Sequence, residues 1–165
     1  MKGIRYAEGL KVLPVLAPVD TAASAVSSEA VWLREAQWMT FLVQFGNLTS
    51  DSTDTITITV ESSTASATAA TDEAIAFNYR ISSAVATDSM GAITAATSDG
   101  FSITSTDDNK CIIIDVDPAY VAAKDTDAQY VRVVATPSAA VAICLLSAVA
   151  VVEPRYPGNS MNSAT

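Results

Sequence analysis

The amino-acid sequence predicts an all-β protein, built as an antiparallel β-sandwich or jelly roll. Apart from alanine, its apolar residues are mainly Val and Ile with Thr and Ser between them, and β-branched residues suit pleated strands. Clusters of Asp, Ser, Thr, Asn and Gly recur at short intervals, as turns between strands do. The chain has no helical period long enough for a βαβ crossover, so antiparallel pairing is favoured.

The 165 residues fit one domain, which we place at residues 21–153. Residues 1–20 are predicted to form an extended N-terminal arm, and residues 154–165 a C-terminal tail. Each segment contains two prolines that fix part of its backbone, namely Pro14 and Pro18 in the arm and Pro154 and Pro157 in the tail.

About eight strands are predicted from alternating apolar and polar residues. Residues 31–46 are expected to form a strand, a break near Glu35 and a second strand. In this second strand, Met39, Phe41, Val43 and Phe45 point to one side, which we expect to face the core, and Trp38 points to the other side. Similar alternation occurs in residues 55–62, 75–81, 101–103, 111–117 and 130–136.

The last apolar run, residues 141–152, is shorter than the about 20 residues that a membrane-spanning helix needs. Its β-branched residues favour a strand, and Glu153 with Pro154 would end it. We therefore predict one long strand, or two strands broken near Ser147, buried on both faces.

Charge is distributed unevenly along the chain. The net charge is −9, which opposes binding to nucleic acid or to an anionic membrane. Residues 51–127 hold thirteen acidic residues against three basic ones, giving −10, whereas residues 1–20 and 128–165 each carry +1. The acidic middle is therefore expected to face water, and the two ends are the expected contact regions.

No signal-peptide pattern begins the sequence, so synthesis in a cytoplasm is expected. Asn47 stands in a sequon-like pattern that we interpret as a turn. Cys111 and Cys144 lie in apolar strand-like runs and are expected to be buried free thiols.

The chemistry of the residues argues against an enzyme and predicts no cofactor. The chain has no histidine, which removes the commonest general base and metal ligand. A serine triad is thereby excluded, a Ser/Lys nucleophile pair lacks its spacing, and no glycine-rich phosphate loop occurs.

Acidic clusters remain as candidates. Asp115 and Asp117, two apart on a predicted strand, could hold Ca²⁺ with Asp107 and Asp108, although a solvated strand face explains them better. A glycosidase would need carboxylates converging in a cleft, so finding Asp115 or Asp117 buried in a pocket would favour a hydrolase. A carbohydrate-binding module would need aromatic side chains exposed on its surface. We instead expect the core to contain four of the aromatic residues, Trp32, Trp38, Phe41 and Phe45.

Four segments carry a family resemblance. They are EAQWMTFLVQFGNLTSDSTDTITITVESSTA (35–65), FNYRISSAVATDSMGAITAAT (77–97), DDNKCIIIDVDPAYV (107–121) and VVEPRYPGN (151–159). In its overall pattern of residues, the chain after about Ala17 resembles small virion proteins of tailed bacteriophages. The resemblance includes no catalytic signature. The resemblance implies a structural role, and some comparable small β proteins are capsid decoration or cement proteins.

These observations predict a non-enzymatic capsid decoration protein, made in the host cytoplasm and bound on the virion surface to the major capsid protein or other virion subunits. A tail or head-to-tail joining protein is the alternative, and a carbohydrate-binding module comes from a different class. Abundant apolar sequence predicts a homo-oligomer, and the threefold symmetry of capsid sites favours a trimer. The predicted interface residues are Pro14, Pro18, Pro154, Arg155, Tyr156 and Pro157, since Arg and Tyr are frequent at interface hot spots and proline restricts the free arms.

Overall fold

The computed structural model describes residues 9–21, 24–48, 54–65, 73–138 and 144–156. A 3-10 helix lies at Ser105–Asp107 and an α-helix, α1, at Pro118–Lys124. The strands are β1 (Lys11–Asp20), β2 (Val26–Ser27), β3 (Val31–Trp32), β4 (Ala36–Phe45), β5 (Ile56–Ser63), β6 (Glu73–Ile75), β7 (Phe77–Ile81), β8 (Thr94–Ala96), β9 (Phe101–Ile103), β10 (Cys111–Val116), β11 (Tyr130–Pro137) and β12 (Leu145–Pro154).

The fold is an antiparallel β-sandwich, as the sequence predicted. The first sheet has the strand order β1-β12-β4-β10-β7-β8. The second sheet has the order β2-β11-β5-β6, with β3 also pairing with β11 and β9 also pairing with β5. Every strand pair is antiparallel, which fits a chain without crossover helices.

The core lies between the two sheets and follows the alternation read from the sequence. On β4 the predicted inward residues Met39, Phe41, Val43 and Phe45 are all buried. From β5 they meet Ile56, Ile58 and Val60, and from β10 and β11 the core receives Ile112, Ile114, Val116, Val131, Val133 and Ala135. Near the β8 margin, Tyr79 of the first sheet stacks on Phe101 of the second, with ring centroids 3.7 Å apart.

The final apolar run forms a single strand, β12, over its described part. Its inward residues Leu146, Ala148, Ala150 and Val152 are buried. The predicted burial on both faces is wrong at the start of the strand, because Leu145 points outward and is exposed. Residues 141–143 of the run lie outside the described residues.

The segment predicted as an N-terminal arm is, from Lys11 to Asp20, the edge strand β1. It pairs with β12, and its Val15 is buried in the core cluster. Register shifts around Leu16 interrupt the period of two, which hid the strand in the sequence. Prolines are tolerated here because the outer side of an edge strand needs no N–H donor. Residues 1–8 lie outside the described residues.

Helix α1 was not anticipated from the sequence. Its start is specified locally: the Asp117 side chain accepts a hydrogen bond from the Ala119 backbone N–H at 2.8 Å, and Pro118 occupies the first turn. Val121 anchors the helix in the core. In the described part of the chain, no helix has the length and apolar composition of a membrane span.

Candidate functional site

The outward side of the first sheet carries a row of apolar side chains. Strand register places Pro14, Val149, Leu42 and Ile113 side by side across β1, β12, β4 and β10. Neighbouring strands lie about 4.8 Å apart, so the row is about 14 Å long. Val12 and Val151 form a second, adjacent pair. We call these six residues the apolar face: Val12, Pro14, Leu42, Ile113, Val149 and Val151.

The apolar face is partly open to solvent and has a polar border on β7. Val12 and Pro14 are exposed, Leu42, Ile113 and Val149 are half-buried, and Val151 is buried. The row continues from Ile113 to Arg80. Apolar side chains that adjoin one another across several strands and stay partly exposed are typical of a surface that contacts another molecule.

The outward side of the second sheet has a different composition. Its strands β5, β9 and β11 present a set that we call the polar face: Thr57, Thr59, Glu61, Ser102, Arg132 and Thr136. Nε and Nη2 of Arg132 donate to Oε2 of Glu61 at 3.2 and 2.9 Å, and the side chains are only 9% and 23% exposed. The hydroxyls of Thr57 and Ser102 lie 3.1 Å apart in a further hydrogen bond. Four of the six side chains of this face are thus paired with one another.

Two adjoining cavities lie at one end of the first sheet, where the chain crosses from β6 to β7 at Ala76. Each has a volume of about 410 Å³, and Ala76, Ala95 and Tyr120 line both. Trp38 lines the first cavity and Lys124 the second. We call the two together the aromatic groove.

Polar groups of three elements reach the first cavity of the groove. Asn78 of β7 and Asp115 of β10 are register neighbours, and Asp117 follows β10 at the start of α1. Thr40 donates its hydroxyl hydrogen to Oδ1 of Asp115 at 2.9 Å. Both carboxylates are half-buried, and one oxygen of each is engaged in holding the fold.

The four carboxylates considered for Ca²⁺ have separate local roles. Asp107 accepts from the Thr104 backbone N–H and pairs with Lys110 at 3.3 Å, and Asp108 accepts from the Leu48 backbone N–H at 2.8 Å. Asp117 caps α1 and does not continue the strand. Across the described ranges, no group of three or more His, Cys, Asp or Glu side chains could hold a metal ion.

The aromatic residues divide in a way that corrects the sequence analysis. Phe41 and Phe45 are buried in the core as predicted, and Trp32 is half-buried. Trp38 is 42% exposed and lines the groove, so its assignment to the core is wrong. The β4 alternation already placed it opposite the core. Tyr120, at 39% exposed, joins it from α1, a helix that the sequence analysis had missed.

The predicted interface residues lie along one margin of the first sheet but do not form one cluster. Pro14 belongs to the apolar face, and Pro18 lines a small cavity with Leu145 at the other end of β1. Pro154 ends β12. Arg155 donates its backbone N–H to the carbonyl oxygen of Glu35 at 2.6 Å. Tyr156 is 58% exposed. Pro157 lies outside the described residues.

Both cysteines are free thiols. Cys144 is buried, and Cys111 is half-buried on the outward side of β10. Burial raises the pKa of each thiol above its ordinary value. For Cys144, a hydrogen bond to the backbone of Gly46 opposes part of this increase in pKa. Raised pKa values make both thiols poor nucleophiles near neutral pH.

No protein-family model matches the chain, and no curated protein matches it at a significant level. Among solved structures it is similar to one described as the structure of infectious bursal disease virus Gt strain, with a TM-score of 0.27 and 9% sequence identity. That match covers 94% of this chain and 43% of the other, so this chain spans less than half the length of its structural neighbour. Because the match is so distant, any function has to be inferred from the chain's own residues.

Proposed function

We propose that the chain is a non-enzymatic structural subunit of a bacteriophage virion, a capsid decoration protein that packs its apolar face against the shell of the major capsid protein. The apolar row across β1, β12, β4 and β10 is the observation that carries this proposal. A sandwich has its core between the sheets, so a row of Val, Leu, Ile and Pro on an outward side is only partly buried by folding alone. Burial against another protein would remove it from water.

The two edge strands of the first sheet are poorly suited to pairing with a strand of another protein, which favours contact through the apolar face. Both Pro14 and Pro18 lie in the edge strand β1 and lack an N–H donor. The opposite edge strand, β8, has only three residues, Thr94–Ala96. Short edges and prolines discourage pairing with a further strand, which leaves the face as the larger available surface.

Charge supports the same orientation. The margin formed by β1 and β12 belongs to the two ends of the chain, each of which carries a net charge of only +1. The acidic residues are concentrated in residues 51–127, which supply β5 to β10 and α1. Docking at the β1 and β12 margin would keep most of the negative charge in water, where it also disfavours clumping of particles.

The proposal includes homotrimers on the capsid surface, as expected for pegs at threefold positions. Native mass spectrometry at micromolar concentration tests this part, and a stable monomer would contradict it. The apolar face would serve a tail or head-to-tail joining protein equally well. The location of the chain in the particle therefore distinguishes these two structural roles.

The direct experiment is to express the chain together with the genes that flank its own and to separate the products on a density gradient. A decoration protein should sediment with capsid-sized shells and appear as added density on their outer surface by electron microscopy. Shells that form while the chain stays at the top of the gradient would overturn the proposal. Density confined to a tail or a portal would assign the alternative role.

A further inference from the structure

We infer that the aromatic groove binds a neutral oligosaccharide. This inference does not rest on the capsid proposal, because the groove shares no residue with the apolar face.

Exposed aromatic side chains are the first part of the argument. Trp38 and Tyr120 come from different elements, β4 and α1, yet they line the same cavity while each keeps more than a third of its surface in water. Leaving a Trp this exposed forgoes the hydrophobic stabilisation that burial would give. Sugar rings present C–H groups on one face, and such groups pack on aromatic rings. A pair of aromatic side chains therefore provides a platform for a saccharide.

The polar groups of the first cavity suit sugar hydroxyls. The Asn78 amide both donates and accepts hydrogen bonds, and the carboxylates of Asp115 and Asp117 accept them. Each carboxylate uses Oδ1 to hold the fold, and its Oδ2 has no hydrogen-bond partner among the described residues. A few polar groups beside an apolar wall are typical of small-molecule sites, which measure about 300 to 1,000 Å³.

Groove length favours an oligosaccharide over a single sugar. The second cavity adjoins the first across Tyr120 and adds further hydrogen-bonding side chains, including Glu73, Thr97 and Lys124. Both cavities are partly open to solvent. An extended ligand could therefore occupy both without closure of the protein.

Other ligand classes fit the groove less well. Anions such as phosphate would meet Asp115 and Asp117 in the first cavity, where no basic side chain lines the wall among the described residues. Cations would be attracted by these carboxylates, but the ammonium of Lys124, whose Nζ lies 5.7 Å from the centroid of the Tyr120 ring, would repel a second cation beside that ring. A neutral ligand that stacks and accepts or donates hydrogen bonds avoids both conflicts.

The test uses the full chain and a panel of neutral tetrasaccharides built from glucose, mannose, galactose or N-acetylglucosamine. Saturation-transfer NMR and tryptophan fluorescence would report binding, and we expect at least one member to bind with a Kd between about 10 µM and 1 mM. Trp38→Ala and Tyr120→Ala should each weaken that binding about tenfold or more. A Trp32→Phe variant assigns the fluorescence change to Trp38, since the chain has two tryptophans.

Tyr156→Ala is the matched control, because it removes an exposed tyrosine that does not line the groove. It should bind the saccharide as the wild-type chain does, and all variants should keep the wild-type circular dichroism spectrum. Three results would overturn the inference: no binding by any tetrasaccharide at about 10 mM, unchanged binding by both groove variants, or tighter binding of trimethyl-lysine or inorganic phosphate in the same groove.

Discussion

The outward sides of the two sheets carry different surfaces. The first sheet places a row of Val, Leu, Ile and Pro there, whereas the second places Thr, Ser and an Arg132–Glu61 ion pair around a single buried apolar residue, Val134. Both surfaces use many β-branched residues, so strand propensity does not explain the difference. On the polar face, Arg132 pairs with Glu61 and Thr57 with Ser102 within the chain. The exposed part of the apolar face would gain further contacts only from a neighbour.

This difference separates stability from assembly. Changes on the polar face break bonds that the isolated chain already makes, so they should lower the free energy of unfolding. Changes at the exposed part of the apolar face remove few contacts within the chain, so they should act mainly on binding to the virion. Each prediction below tests one side of this division.

The largest expected loss of stability comes from Arg132→Ala. It leaves Glu61 without its cation on a half-buried surface, and breaking such a pair costs about 3 kcal/mol. Urea unfolding followed by circular dichroism measures the change. Replacing both partners, as Arg132→Leu with Glu61→Leu, should recover most of the loss because no lone charge remains. A single variant as stable as the wild type would show that the polar face does not stabilise the fold.

A smaller loss is expected from Gly100→Ala, at the turn that leads into β9 of the second sheet. Gly100 has a φ of +78°, and an added Cβ would clash with the carbonyl oxygen of Ile58. Strain of this kind costs about 2 kcal/mol. Gly46→Ala is the matched control, because its Cβ would make only ordinary contacts with Leu145, at 3.6 Å and beyond. Equal melting temperatures for the two variants would contradict the geometry of this turn.

The smallest effect concerns the buried thiol of Cys144. Burial raises its pKa above the ordinary value of 9.0, so the folded state favours the uncharged form. This contribution to stability is complete below pH 9.0 and is lost as the pH rises from there through the raised pKa. Above pH 9.0, wild-type stability should therefore fall relative to that of Cys144→Ala. Parallel stability curves for the two proteins would contradict this assignment.

The sequence was sufficient for the sandwich and for most inward residues, because residues such as Ile56, Ile58 and Val60 alternate without interruption. It was insufficient for β1, where Pro14, Pro18 and two register shifts break the period of two. Helix α1 was missed because a helix of this length gives no long periodic signal, although its Asp-Pro start was visible at residues 117–118.

Both candidate surfaces depend on contacts between strands that are distant in the sequence. The apolar face appears only when register brings Pro14, Leu42 and Ile113 into one row with Val149. The groove likewise requires α1 to bring Tyr120 to the cavity that Trp38 lines. Alternation identifies which side of a strand a residue faces, but it does not identify the neighbouring strand.

The most direct test of the central claim compares one aspartate on each outward side. Leu42→Asp places a charge in the middle of the apolar face, and Thr59→Asp places the same charge on the middle strand of the polar face; both original side chains are half-buried. Circular dichroism first verifies that each variant is folded. A density gradient then measures the fraction of the chain that is bound to capsid shells. We predict that Leu42→Asp lowers the affinity for shells about a hundredfold, because an interface would have to bury an unpaired charge, whereas Thr59→Asp binds as the wild type does. Full binding by Leu42→Asp, or loss of binding by Thr59→Asp alone, would contradict the account.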